Sequence, residues 1–337
     1  MNRHKGHVST ITRAVLALAL FGIPSLTGCD TSLADNSGAV LPSIDSSTEP
    51  GAESSTDQLG TLARAGLADL EATMEGLDDP ESFLVSDVPT DSEGAPPPPP
   101  CFQPIVQLTQ QCVQQTFAMT TACVDQIAQL FQNGNPQQAH QVAQTCIEQI
   151  NQHTGQCLPA HRDHCQNCLA QLLENDAPME VIQALNHLCQ RTTNHILQAR
   201  RGAVGAVKHA VDAGVAQNCV AAIHQIATGC AGQNQQIASN CVPQIEELLA
   251  NGHVQQAVAL AQNCIQQIRS HTGQCAAAIL EHSQNCLQHL IRNCAEGMLI
   301  HQVQQAAREN RMQVIGSGMA AIQQIRSALP PPPPPDG

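Results

Sequence analysis

Tryptophan and tyrosine are absent from this sequence, and phenylalanine occurs only 5 times in 337 residues. So few aromatic rings cannot build the aromatic-rich core of a typical enzyme, and they offer no platform on which nucleic-acid bases could stack. Basic residues are also scarce, because 14 Lys and Arg stand against 28 Asp and Glu, for a formal net charge of -14. Binding to phosphates requires clustered basic side chains, so we expect no nucleic-acid partner.

Familiar catalytic motifs are missing as well. The sequence contains no glycine-rich phosphate loop, no HExxH zinc motif and no GxSxG nucleophile motif. The paired acids Glu246 and Glu247 and the paired bases Arg200 and Arg201 are typical of solvated helix surfaces. We therefore expect that the protein is not an enzyme.

Cysteine, in contrast, is abundant, with 16 residues in the chain. A cysteine content this high indicates either an oxidising compartment or a metal-binding protein. The N-terminus favours export: a basic start precedes a short apolar run at 14–23, which suits a signal peptide and is too short to span a bilayer.

The apolar run is followed by Leu-Thr-Gly-Cys at residues 26–29, which resembles the lipobox of bacterial lipoproteins. The resemblance implies that residues 1–28 are a signal peptide and that Cys29 becomes the acylated N-terminus of the mature protein. Acylated Cys29 would then bind the lipid bilayer. The resemblance therefore predicts that the chain is lipid-anchored at the bacterial cell membrane and faces the periplasm or the exterior.

Residues 29–100 differ in composition from the rest of the chain. Positions 30–100 hold fifteen Asp and Glu against the single basic residue Arg64, and the stretch ends in five prolines. Charge of one sign with low hydrophobicity predicts a disordered tether. Apolar residues recur at helical spacing within 57–78, where we predict marginal helicity rather than docking on the body. A second proline-rich segment, 330–337, forms the tail.

The body of the chain is a tandem duplication. Six cysteines of the first copy recur in the second copy, each 118 residues later. They are Cys101, Cys112, Cys123, Cys146, Cys157 and Cys168, followed by Cys219, Cys230, Cys241, Cys264, Cys275 and Cys286. Such a duplication predicts two copies of one structural unit, which we call repeat 1 (101–213) and repeat 2 (214–329).

The cysteine spacing predicts helical hairpins. Neighbouring cysteines in each repeat are 11 residues apart, close to three helical turns, except for one central gap of 23. Each set is symmetric about an Asn-Gly pair, Asn133-Gly134 in repeat 1 and Asn251-Gly252 in repeat 2. Glycine can end a helix in the left-handed conformation, so two antiparallel helices should bring each cysteine opposite a partner.

Six disulfides follow from this symmetry, and together we call them the ladder. They are Cys101–Cys168, Cys112–Cys157, Cys123–Cys146, Cys219–Cys286, Cys230–Cys275 and Cys241–Cys264. Topologically the hairpins resemble the twin-CX9C proteins, in which two helices are clamped by paired disulfides; we transfer no function from them.

A seventh disulfide is predicted between Cys165 and Cys189, which are equidistant from residue 177. Their counterparts in repeat 2 are Ser283 and Ala307, so both members are absent together, as a disulfide requires. With Cys29 assigned to lipid, counting leaves Cys294 as a free thiol that would allow a dimer.

The resulting fold class is all-α: two three-helix units, each a disulfide-laddered antiparallel hairpin plus a third helix, stacked in a rod-like arrangement. The predicted helices are 102–132, 136–175, 178–213, 216–250, 253–294 and 297–328. The third helix should end at the opposite end of its unit from the start of the first helix, so that the second unit continues coaxially.

Histidines accompany the ladder, and four of them stand four residues before a ladder cysteine: His153, His164, His271 and His282. The hairpin symmetry places Thr116, Ile105, Asn234 and Ile223 opposite them, in that order. One interpretation is a polar layer of hydrogen-bonded histidines. The alternative is a copper or zinc site of histidines and reduced cysteines, with its densest cluster at His161, His164, Cys165 and Cys168. We favour the polar layer without a cofactor, because a sulfur in a disulfide cannot also bind a metal.

The segment Cys165-Gln-Asn-Cys168 has the spacing of a thioredoxin CxxC motif. That motif functions at the start of a helix, where the thiol pKa is lowered, whereas this one lies in the middle of a predicted helix. Thiol-redox chemistry therefore remains an alternative to the function that we favour. That function is a membrane-tethered, disulfide-braced spacer or interaction module of the bacterial cell envelope, with an unknown envelope protein as its partner.

Overall fold

A computed structural model describes residues 60–61, 63–68 and 99–330. The regular elements of this part of the chain are helices, which confirms the all-α fold class. The long helices are α1 (Phe102–Gln132), α2 (Pro136–Glu174), α3 (Met179–Ala250), α4 (Val254–Arg292) and α5 (Gly297–Ser327).

Four short turns join these helices, and each turn contains a residue with positive φ. Gly134 (φ 71°) and Gly252 (φ 75°) occupy the two hairpin turns, as predicted from the Asn-Gly pairs. Asp176 (φ 48°) and Cys294 (φ 56°) occupy the equivalent position in the other two turns. In every case the next amide donates to a carbonyl five residues back, which satisfies one of the acceptors that a helix end leaves open.

The prediction of separate helices at 178–213 and 216–250 is wrong. A single helix of 72 residues, α3, runs from Met179 to Ala250, so the boundary between the repeats falls within it. At a rise of 1.5 Å per residue, α3 is about 108 Å long. The helices α1 and α2 pack on its first part, and α4 and α5 pack on its second part.

The continuity of α3 has a packing explanation. Residues 209–216 are buried without interruption, and residues from neighbouring elements contact this part of α3: Phe131 of α1 lies against Gly214, and Glu296 of the turn before α5 lies against His209. Gly214, the first residue of repeat 2, lies inside the helix against the ring of Phe131. A Cβ atom at position 214 would overlap that ring, so the glycine permits close packing and does not end the helix.

The prediction that the stretch 57–78 does not dock on the body is also wrong for those of its residues that the structure describes. Residues 60–61 and 63–68, which we call the docked segment, lie against the body, with Ala63 fully buried and Leu67 3% exposed. The Arg64 guanidinium contacts the Asp125 carboxylate of α1 at 3.1 Å. This burial depends on a groove made by residues distant in sequence, and the local pattern of the segment carries no information about that groove.

Several predictions lie outside the described residues. They concern the signal peptide at 1–28, the acylation of Cys29, most of the tether and the tail after Pro330.

Candidate functional site

The ladder is present in the structure as predicted. In repeat 1, three disulfides join α1 to α2, and in repeat 2 three equivalent disulfides join α3 to α4. Their Cα–Cα distances lie between 5.3 Å for Cys101–Cys168 and 6.5 Å for Cys241–Cys264, within the range that a disulfide spans. These disulfides, which are the rungs of the ladder, fix the register of each helical hairpin at three levels.

The seventh disulfide, Cys165–Cys189, joins α2 to α3 with a Cα–Cα distance of 6.2 Å. In repeat 2, the buried Ser283 stands at the position of Cys165, and its hydroxyl donates to the carbonyl of Leu280. Cys165 and Cys168 therefore belong to different disulfides, and no bond closes the CxxC segment.

The prediction of a free thiol at Cys294 is wrong, because this residue is disulfide-bonded in the structure. Cys294 lies in the turn after α4, outside the helix register that pairs the ladder cysteines. Counting ladder positions could not assign it a partner for that reason. A dimer through Cys294 loses its basis, and we do not propose it further.

A histidine lies beside three of the rungs. Three groups bring their ligand atoms within 4.8 Å of one another, in the combinations Cys112–His153–Cys157, Cys219–His282–Cys286 and Cys230–His271–Cys275. In two of these groups the histidine Nε2 lies 3.5 Å from the sulfur one turn further along the helix. In all three groups the His and the Cys at i and i+4 share one helix face. The groups of Cys112 and Cys230 occupy equivalent positions in the two repeats, 118 residues apart.

The polar partners of these histidines agree in part with the predicted layer. His271 Nδ1 donates to Asn234 Oδ1 at 2.9 Å, which is the predicted pair. The buried Asn234 in turn donates to the hydroxyls of Thr272 and Ser317, at 3.1 and 3.2 Å. In repeat 1, His153 Nε2 donates to the carbonyl of Cys112 at 3.3 Å.

His153 and its predicted neighbour Thr116 meet at that same carbonyl, to which the Thr116 hydroxyl donates at 2.9 Å. His282, in contrast, has a buried Nε2 atom without a hydrogen-bond partner in the described structure, and burial lowers its pKa. A histidine with a lowered pKa is held neutral near pH 7, which suits both a hydrogen-bonding and a metal-binding role.

The alternative metal cluster at His161, His164, Cys165 and Cys168 is not assembled. His164 is exposed, whereas His161 is only 2% exposed and its Nε2 lies 2.6 Å from the Thr192 hydroxyl. Burial, with a smaller contribution from His164, lowers the pKa of His161. The sulfurs of Cys165 and Cys168 are committed to two separate disulfides, so sequence proximity did not indicate a shared site.

The joint between the repeats, at the middle of α3, carries a second group of titratable side chains. His209 of α3 lies 3.1 Å from the Glu296 carboxylate in the turn before α5. One turn along α3, burial raises the pKa of Asp212 to about 7; Lys208 partly opposes this shift and Glu296 adds to it. No local pattern in the sequence indicates this group, because Glu296 is remote from His209 and Asp212 in the chain.

The raised pKa of Asp212 predicts a pH-dependent stability. An unfolded chain releases this proton near pH 3.8, whereas the folded chain holds it up to about pH 7, so ionisation costs stability as the pH rises between these values. We expect Asp212→Asn to remove that cost, with a relative gain on the order of 3 kcal/mol at pH 7.5 compared with pH 4.5.

Denaturant unfolding of both proteins at the two pH values measures this difference. Asp163→Asn, which removes an exposed carboxyl group of α2, is the control. If Asp212→Asn and the wild type show parallel pH profiles, the carboxyl group is ionised in the folded protein and this interpretation of the joint is wrong.

Comparison with family models, with curated proteins and with solved structures finds no match to this chain. Within the described residues, none of the helices is both long enough and apolar enough to cross a membrane.

Proposed function

We propose that this protein is a membrane-tethered, disulfide-braced helical spacer or interaction module of the bacterial cell envelope, and that it has no enzymatic activity. The observation that carries the proposal is the continuous helix α3, which passes through both repeats and is braced along its length. One disulfide connects it to α2 in its first part, and three connect it to α4 in its second part.

The course of the helices separates the two ends of the body. The start of α1 is joined to the end of α2, next to the start of α3, through Cys101–Cys168. The end of α5 packs beside the end of α3, where Ile325 and Ile245 are buried in one cluster. A chain that enters at one end of a helix of about 108 Å and leaves at the other suits a spacer.

The membrane attachment is supported by the sequence. The Leu-Thr-Gly-Cys tetrapeptide at 26–29 supplies the acylation signal, and the acidic segment up to residue 100 would repel itself and anionic lipid headgroups. Such a tether would hold the body away from the bilayer surface.

The internal repeat offers a direct test of a spacer role. Deleting residues 112–229 removes one 118-residue period, joins Gln111 to Cys230 in register, and retains three rungs with Cys101 in the place of Cys219. This one-repeat variant keeps the signal, the tether and the tail. We expect a C-terminal label on the acylated variant to stand about 50 Å closer to a supported bilayer than the label on the full chain.

Reflectometry or force microscopy on the supported bilayer measures this height. Cys29→Ala is the control, since loss of the acyl chains should leave the protein in solution. Equal heights for the two acylated proteins would contradict a spacer, and membrane binding by Cys29→Ala with unchanged mass would place the anchor elsewhere.

A second candidate function, metal binding or thiol-redox chemistry, is favoured by the three His–Cys–Cys groups. It requires the ladder disulfides to be reduced in the cell, because their sulfurs are otherwise committed to one another. The oxidation state of the cysteines in protein taken from cells therefore separates the two functions.

A further inference from the structure

The duplication allows equivalent surfaces of the two repeats to be compared. In repeat 1, the docked segment fills a groove between α1 and α3. Its Gly66 lies close to the backbone of Ala206 and to the side chain of His209, and its Arg64 pairs with Asp125 across the groove. The apolar side chains of Ala63 and Leu67 face inward and are buried.

The same groove exists in repeat 2, where it is open. It lies between the second part of α3 and α5 and has a volume of about 770 Å³. Six of the residues that line it are Gln235, Val242, Pro243, Glu246, Gln324 and Ser327. Each of these residues lies 118 positions after its counterpart in α1 or in the first part of α3, so the two grooves are equivalent by sequence.

Burial confirms that only the first groove is covered in the described structure. The residues of repeat 1 that correspond to Val242, Glu246, Gln324 and Ser327 are Val124, Ala128, Ala206 and His209. All four are buried in repeat 1. In repeat 2, Val242 is half-buried and the other three are exposed.

The chemistry of the open groove differs in two respects from that of the filled one. Its carboxylate is displaced by about one turn, because Pro243 replaces Asp125 and Glu246 replaces Ala128. Its wall is also more polar, since Gln324 replaces Ala206 and bonds to Gln235 across the groove at 3.2 Å. A ligand for this groove therefore needs small apolar side chains for Val242 and a basic side chain for Glu246.

We propose that the groove between α3 and α5 binds a short amphipathic helix of another protein, with small apolar residues one turn apart and an Arg or Lys that pairs with Glu246. The docked segment shows that the equivalent surface accepts a helical stretch of this kind. A second copy of this chain is disfavoured as the source, because each copy already holds its own segment at a high effective concentration. The inference rests on the interaction part of the proposed function.

A peptide titration tests this proposal on the full oxidised chain, kept soluble by Cys29→Ala. The probe is a synthetic helix that repeats Leu-Ala-Arg-Ala three times, the motif at residues 62–65, and the control peptide carries Glu in place of each Arg. We expect saturable binding of one probe per chain, with at least tenfold weaker binding of the Glu peptide, as an ion pair in a partly desolvated groove predicts.

Two charge reversals at neighbouring residues provide the matched controls. Glu246→Lys should weaken binding of the probe about tenfold. Glu247→Lys makes the same charge change at an exposed residue that does not line the groove, and it should leave binding nearly unchanged. Circular dichroism of both variants checks that the fold is intact.

Three results would overturn the proposal: no saturable binding, equal effects of the two reversals, or self-association of the chain that Glu246→Lys abolishes. The second result means non-specific attraction to an acidic chain, and the third identifies a second copy as the occupant. A negative titration would leave the bilayer-height experiment unaffected, so failure here is distinguishable from failure of the spacer function.

Discussion

Complete reduction of the six ladder disulfides and of Cys165–Cys189 should unfold or greatly loosen the body at room temperature. The buried core consists mainly of Ile, Leu, Val and Ala, with Phe102 and Phe131 as its buried aromatic residues in the described part. Disulfides that close segments of 23, 45 and 67 residues contribute ~2–4 kcal/mol each, and nested bridges less. Seven such bridges together exceed the ~5–15 kcal/mol of net stability usual for a domain.

Circular dichroism with and without reductant measures this effect. The oxidised body should remain helical well past the ~45–65 °C at which ordinary mesophilic domains melt, and the reduced body should lose most of its cooperative transition. Reoxidation should restore the original melting curve. An unchanged melting temperature after complete reduction would mean that side-chain packing alone stabilises the fold. The cysteines would then have a metal-binding or redox role.

Gly214→Val should destabilise the oxidised body by about 3 kcal/mol, since the new side chain would overlap the Phe131 ring where α1 ends on α3. At this size of protein we expect the melting temperature to fall by roughly 6–12 °C. Thermal melts of the oxidised protein measure the change.

Gly205 of the same helix is the matched control, because a Cβ atom there meets no atom within 4 Å. Gly205→Ala should stabilise α3 by ~0.5–1 kcal/mol through helix propensity alone. Equal melting temperatures for Gly214→Val and the wild type would show that α1 and α3 do not pack closely at the joint.

The ladder could be predicted from sequence because a disulfide constrains two positions at once. Pairs symmetric about an Asn-Gly turn must face each other in an antiparallel hairpin, and this relation fixed the partners of the ladder cysteines without other information. The same symmetry identified the contact between His271 and Asn234. Paired loss of Cys165 and Cys189 in repeat 2 identified the seventh bond.

The features that could not be predicted depend on contacts between distant parts of the chain. The local sequence does not show that Gly214 lies inside a helix, and only the position of the distant Phe131 shows that the glycine makes room for a ring. The docked segment has a weak helical pattern of its own and is stabilised by a groove formed elsewhere. Cys294 lies in a turn, where helix register gives no information about its partner.

If the cysteines brace the fold in its native state, they are oxidised in protein taken from cells, and their oxidation state can be measured there. The protein is extracted from whole cells, alkylated without reduction and measured by intact mass, then mapped by proteolysis under the same conditions. We expect no alkylation at the fourteen cysteines of the seven mapped bonds, and a linked peptide pair containing Cys165 and Cys189. Alkylation at most of these cysteines, or a linkage between Cys165 and Cys168, would contradict this expectation and favour metal or redox chemistry.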